Sequence, residues 1–417
     1  MSESLPTASD WRPRFFLIWS GQLVSMLGSS VAQFALVWWL TKQTGAATTL
    51  TTAMMMAVLP QVLLGPFLGA YVDRHDRRLL MIGADALVAA AALWLGWLFW
   101  AGSIQVWHIY LAAFIRSVGG GLHWPAMTAS TALMVPERHL TRVTGVNHAV
   151  GGALGIIGPP LGAWLVELWT MPAIMLVDVV TAAVAVTPLL FVRIPSSARK
   201  ESPAGMAGLW GEAREGLHFL WQWRAMRWLV IGAMAVNFLL GPGGALLPLL
   251  VTQHFGGGAT QLGWIQAGWA GGIVLGGLIL GAWGGFKRKM LTTLPSLALM
   301  GAGFVVIGLA PREWFWLAVA ANLLAGTMNP LVNGPIHALM QSTVPAGLQG
   351  RVFTAVGSAC GAMMPLSLAL AGPIGDWVGV RSWYFVGGLA CVVMAAAALT
   401  RRELRDCGTE AMRSDGT

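Results

Sequence analysis

The sequence predicts an all-α membrane protein with twelve transmembrane helices in two pseudo-symmetric six-helix bundles. Three observations carry that expectation. Hydrophobic residues make up 56% of the 417 positions and charged residues only 10%, where a soluble protein carries about 25% charged. Apolar runs recur at the length a bilayer demands, about 20 residues; Phe15–Leu40, Leu79–Ala101 and Met171–Val192 are plain examples. The two halves of the chain also echo each other in short motifs.

In chain order, the runs place helices at 15–40, 48–72, 79–101, 106–134, 143–168 and 171–193 in the first half. The second half places them at 225–251, 261–284, 290–310, 313–340, 352–375 and 380–400. Backbone groups in hydrocarbon must be satisfied within their own segment, so runs of this length are helices and not open strands. The 53 glycines fit close helix–helix approach in a membrane. Between the halves lies 194–224, which begins with Pro, Ser and Gly. It then turns amphipathic, with Leu209, Trp210, Leu217, Leu220 and Trp221 among charges. Such a segment suits a helix lying in the membrane interface. The expected organisation is a bundle over 1–193, a linker over 194–224, a bundle over 225–400 and a tail over 401–417.

Charge sets the orientation. With the N-terminus in the cytoplasm, 21 of the 25 Lys and Arg residues fall on that side. Lys42, Arg312 and Arg381 fall outside, and Arg116 lies within a helix. Both termini are therefore expected in the cytoplasm of a cell-membrane protein. Residues 1–12 are polar and precede a run too long for a signal core, so no cleavable signal is expected. Cys360, Cys391 and Cys407 are too few and scattered for a disulfide framework or a metal site. The net charge of +8 resides in short loops, which argues against a nucleic-acid partner. No G-x-x-x-x-G-K-[ST] string is present, which argues against direct ATP use. No cofactor is expected.

The halves match most closely after their fourth helices. ALMVPERHLTRV (132–143) is echoed by ALMQSTVPAGLQGRV (338–352), with Pro136 six residues before Arg142 and Pro345 six before Arg351. GAYVDRHDRR (69–78) is echoed by GAWGGFKRKM (281–290), where Gly285 stands in place of Asp73. Weak self-similarity between six-helix halves is the mark of a repeat-built secondary transporter.

The string Gly69-Ala-Tyr-Val-Asp73-Arg74-His-Asp-Arg77-Arg78 resembles the loop signature of the major facilitator superfamily, G-x-x-x-D-R-x-G-R-R, with Asp76 in place of the usual Gly. VDRHDRRLLMIGADAL (72–87), IWSGQLVSMLGSS (18–30) and RSVGGGLHWPA (116–126) resemble its drug:proton antiporter branch, which includes macrolide efflux proteins. LGIIGPPLGAW (154–164) is similar to that branch's antiporter motif, with Gly158, Pro159 and Gly162 matching and Leu154 and Ala163 departing. The prolines bend the helix and the glycines admit a neighbour. A Pro-kinked packing face is the plainer alternative.

Asp73 ends its own helix, where the helix dipole disfavours a carboxylate by roughly 0.3–1 kcal/mol. It needs a partner elsewhere. The resemblance implies that it meets the start of helix eleven, near Arg351–Thr354, when the cytoplasmic side shuts. Arg74, Arg77 and Arg78 are then topology anchors and gate salt bridges; a merely solvated basic loop accounts for the arginines but not for Asp73.

Arg116 sits inside helix four at a cost of about 2.5–3.5 kcal/mol, so it must face a cavity or a partner. The resemblance implies a place beside the proton-coupling site; a structural ion pair is the alternative. Asp178, in helix six, is the deepest carboxylate and is assigned with Arg116 to coupling, though pairing within the bundle also explains it. Asp85 is expected to support the loop latch. Glu167, at the outer end of helix five, is a weaker candidate for the proton, with a solvated rim the plainer reading; His123 and His337 are of a type that titrates near neutral pH, with hydrogen-bonded packing the plainer reading. The resemblance gives cavity-facing helices that offer Gln22, Ser25, Gln33, Trp124, Asn237, Asn329 and Asn333. That lining suits a bulky amphipathic compound.

The resemblance thus implies a monomeric secondary transporter and not an enzyme. Its partners are a small amphipathic substrate, protons and the bilayer, and it exports macrolide-type drugs by proton antiport and alternating access. A same-fold exporter or flippase of an endogenous lipid or siderophore is the second possibility.

Overall fold

The computed structural model describes residues 11–192 and 224–401. Among the described residues the chain is helical, with no strand. The helices are α1 (Trp11–Thr44), α2 (Ala47–Arg74), α3 (Arg77–Trp100), α4 (Val106–Met134), α5 (Glu137–Leu168) and α6 (Met171–Phe191). They continue with α7 (Arg224–Leu240), α8 (Gly243–Leu249), α9 (Ala259–Trp283), α10 (Lys289–Leu309), α11 (Phe315–Thr343), α12 (Ala346–Val378) and α13 (Val380–Thr400). The amphipathic segment expected in the linker and the tail after Arg401 lie outside the described residues.

Among the described residues, eleven helical stretches are long and apolar enough to cross a membrane. The twelfth expected span, α4, has the length at 29 residues. It is missing from the eleven because His108, Arg116, His123 and a run of glycines dilute its apolar character. The run expected as one helix over 225–251 is also interrupted. α7 ends at Leu240, and the chain turns through Gly241 and Pro242. α8 then leads into a π-helical turn at Leu250–His254. Pro242 brings no N–H to a regular ladder, and its ring crowds the preceding turn.

The chain divides into two compact units, Met1–Gly45 with Thr52–Glu201 and Ala46–Thr51 with Ser202–Thr417. The two units share a set of internal pairings. In the first, α3 packs on α4 and α6, and α1 packs on α5 and α6. In the second, α10 packs on α11 and α13, and α7 packs on α12 and α13. The sequence echo has a structural counterpart. α5 starts after Pro136 at φ −57 and ψ 141, and α12 starts after Pro345 at φ −51 and ψ 139. In each, the proline carbonyl accepts from an amide three residues on, His139 or Leu348, at 2.8 Å. Val135 and Val143 are buried in the first unit's cluster with Trp11 and Phe15. Val344 and Val352 fill the matching places in the second unit, against Met226 and Met340.

The first turn of α2 packs within the second unit. There the carboxylate of Asp376, near the end of α12, accepts from the backbone amides of Ala47 at 2.5 Å and Thr48 at 3.0 Å. Two of the free amides at the start of a helix are thereby satisfied.

Candidate functional site

In the first unit, α1 presents a stripe of polar side chains to its neighbours. Gln22, Ser25 and Ser29 recur at three- and four-residue intervals, so they lie on one face of the helix. Gln22 and Ser25 are buried. The Gln22 amide donates to Asp85 Oδ2 on α3 at 3.1 Å, and the Ser29 hydroxyl donates to Asp178 Oδ1 on α6 at 2.8 Å. Both carboxylates buried among the unit's described residues thus lean on the same face of α1. The amide of Gln22, expected on a cavity wall, is committed to a carboxylate inside the bundle.

Asp178 is fully buried and carries a second partner, since the Arg116 guanidinium on α4 donates to its other oxygen. A charge in hydrocarbon is tolerated when paired and hydrogen-bonded, and here one arginine and one serine satisfy both oxygens. Nearer the Arg74–Arg78 end, His123 on α4 places Nε2 3.5 Å from Asp85 Oδ1. That nitrogen is buried and has no hydrogen-bond partner.

The loop after α2 is built around helix ends. Asp76 is the N-cap of α3, accepting from the amides of Arg78 at 2.8 Å and Leu79 at 3.3 Å. The departure from the glycine of the loop signature therefore supplies a cap, the role in which Asp and Asn excel. Arg78 donates to the carbonyls of Leu189 and Leu190 in the last turn of α6, where a cation complements the helix dipole. Arg77 reaches the Ala129 carbonyl of α4 at 3.3 Å. Arg74 is exposed at the end of α2, and an added Cβ at Gly69 would meet nothing within 4 Å. The Asp73 side chain lies outside those described. In the second half, Gly284 and Gly285 turn the chain at φ 76 and φ 77, a conformation open to glycine and strained for aspartate.

On α5 the antiporter-like motif packs on α1. A Cβ at Gly158 would fall 2.2 Å from Ser30 Oγ, and one at Gly162 would fall 2.9 Å from Phe34 Cβ. Pro159 and Pro160 lie within a helix that continues past them.

In the second unit, a cavity of about 390 Å³ opens among α7, α10, α11 and α13. Pockets of roughly 300–1,000 Å³ hold small organic ligands. The wall is aliphatic and aromatic, broken by Asn237, Thr293, Asn333 and Arg401. Asn333 also donates to the Asn329 carbonyl at 3.0 Å, while Asn329 itself is not on the wall. The Arg401 guanidinium lies 5.4 Å over the Trp228 ring at the rim. Gln33 on α1 and Trp124 on α4 are exposed on the first unit.

The structure therefore joins Arg116 to Asp178 and places Asn237 and Asn333 on one cavity wall. It adds three groups that sequence reasoning set aside or passed over: Asp76 as a cap, Ser29 as the second partner of Asp178, and His123 beside Asp85. The stripe at residues 22, 25 and 29 was the available signal for Ser29.

Comparisons with known proteins agree with this architecture. The family model described as Major Facilitator Superfamily matches residues 18–366. Macrolide efflux protein A of Streptococcus pyogenes is 32% identical over 397 residues, covering 95% of this chain and 98% of its own. The multidrug efflux pump Tap of Mycobacterium bovis is 24% identical, covering 94% of each. Among solved structures, a bacterial homologue of the iron transporter ferroportin superposes with a TM-score of 0.71 at 14% identity, covering 94% of this chain and 99% of that one. With its two helical units of repeated pairing, its loop and antiporter motifs and a family match along most of its length, this chain belongs to the major facilitator superfamily of membrane transporters.

Proposed function

We propose that the protein exports bulky amphipathic compounds of the macrolide type, driven by inward proton flow through an alternating-access cycle. The observation that carries this reading is the match of nearly the whole chain to macrolide efflux protein A, 32% identical over 95% of its length. The cavity supports it. Its aliphatic wall suits the lactone face of such a molecule, and Asn237 and Asn333 offer the few polar handles that orient it. Arg116 and Asp178 couple the cycle to protons, and Asp73 with Arg74, Arg77 and Arg78 forms the cytoplasmic gate. The protein works as a monomer in the cell membrane with both termini in the cytoplasm.

The test is erythromycin uptake into inverted membrane vesicles with and without an imposed pH gradient. Gradient-dependent accumulation is expected; accumulation that ignores the gradient removes antiport, and no accumulation removes macrolides as substrates. One observation favours the second reading, an endogenous anionic amphiphile: Arg401 supplies the one charge on a cavity wall whose other polar groups are neutral. Competition of erythromycin uptake by an anionic lysophospholipid separates the two cargoes.

A further inference from the structure

Asp178 and Asp85, the two carboxylates buried among the first unit's described residues, have different chemistry around them. Asp178 has both oxygens occupied, one by Arg116 and one by Ser29. Its cation cannot give up a proton, since a guanidinium stays charged in proteins. Protonation of Asp178 weakens its hold on that guanidinium. Asp85 has one oxygen held by the Gln22 amide at 3.1 Å. Its other oxygen faces His123 Nε2 at 3.5 Å, just beyond hydrogen-bond range, and that nitrogen has no other partner. An imidazole and a carboxylate at this separation can share one proton. Either group can take up or release that proton, so the pair is a candidate proton carrier.

The surroundings leave this pair to itself. α1 brings no ionisable group between Arg14 and Lys42, and α2 brings none between Ala47 and Leu68. α4 brings His108, Tyr110 and Arg116 besides His123; α6 brings Asp178, and α3 itself brings Arg77 and Arg78 besides Asp85. Arg116 is bound to Asp178, and Arg77 and Arg78 donate to carbonyls of α4 and α6. From His123 to Arg116 along α4 is about 10 Å at 1.5 Å per residue. Over that interval α1 offers the buried hydroxyl of Ser25 between Gln22 and Ser29.

We propose that Asp85 and His123 form a proton-binding site of their own, distinct from the Arg116–Asp178 pair and standing between it and the Arg74–Arg78 end of the bundle. In the export cycle it takes up and releases the coupling proton on that side. This last step rests on the antiport reading above; the existence of the site does not.

The site is tested by infrared titration of the full chain in lipid nanodiscs, following the carboxyl C=O band between about pH 5 and 8. The wild-type protein is expected to show a titrating buried carboxyl. Asp85→Asn removes it, His123→Gln shifts its midpoint, and Asp178→Asn leaves it in place. No such band in the wild type, its survival in Asp85→Asn, or an unmoved midpoint in His123→Gln overturns the proposal. Its role in coupling is tested in proteoliposomes loaded with erythromycin. Asp85→Asn is expected to abolish the gradient-dependent part of transport, and Asp85→Glu, which keeps a carboxyl, to retain it. Drive that persists in Asp85→Asn, or that is lost equally in Asp85→Glu, overturns the coupling role. A wild-type protein indifferent to the gradient sinks antiport instead, and the infrared result still decides the site.

Discussion

Asp376 accepts a hydrogen bond from the backbone amide of Thr48, and its other oxygen takes the amide of Ala47. A carboxylate near the unfavourable end of its own helix, α12, is thus placed at the favourable start of another, α2. The same dipole argument made Asp73 stand out in the sequence. Here the partner is visible.

Removing this cap has a defined cost. Loss of a helix N-cap acceptor typically costs about 0.5–2 kcal/mol, and the exposure of Asp376 points to the lower part of that range. Asp376→Ala is expected to lower the melting temperature of the purified protein, and Asp376→Asn, which keeps one acceptor, to lower it less. Equal losses in the two variants argue against a capping role.

The Arg116–Asp178 pair predicts a different pattern. Removing one member strands a buried charge, an effect of about 3–5 kcal/mol, whereas replacing both with apolar residues of similar size is often neutral. Arg116→Met and Asp178→Leu alone are therefore expected to be less stable than the double variant. Thermal unfolding of the three proteins, followed by size-exclusion chromatography, reads the order directly.

At the α1–α5 contact the two motif glycines should respond unequally to alanine. The new methyl at Gly158 meets the hydroxyl of Ser30, which can rotate away. At Gly162 it meets Phe34 Cβ, which cannot move without the backbone. Overpacking costs about 1–3 kcal/mol, so Gly162→Ala belongs at the upper end and Gly158→Ala at the lower. Comparable melting temperatures for the two variants contradict that packing.

Asp76 offers a test of the loop departure. Replacing an N-cap aspartate by alanine costs about 1 kcal/mol and by glycine only a few tenths. Asp76→Gly, which restores the family residue, is expected to be nearly silent in thermal unfolding, and Asp76→Ala measurably destabilised. The reverse order would show that the carboxylate does something other than cap α3.

Much of this architecture was legible because hydrocarbon leaves the backbone few choices. Long apolar runs became helices close to their expected bounds, and the proline–arginine echo at Pro136 and Pro345 returned as matching helix starts. The interruption at Gly241 and Pro242 was not read, because a glycine and a proline in an apolar run are compatible with a kink as well as a break. Two isolated charges of opposite sign, Arg116 and Asp178, were readable as needing partners. The direction Gln22 faces was not. Polarity alone marks a residue as unsuited to lipid, and both an open cavity and a buried carboxylate satisfy that requirement.

The repeated pairing of helices conceals an inequality between the two halves. Among the described residues, both buried carboxylates, Asp85 and Asp178, belong to the first unit, while the cavity walled by Asn237 and Asn333 belongs to the second. The duplicated scaffold is twofold in its carpentry and single in its electrostatics. Variation at that wall then reshapes the cavity without disturbing either buried carboxylate, which leaves the second half of the gene freer to drift than the first.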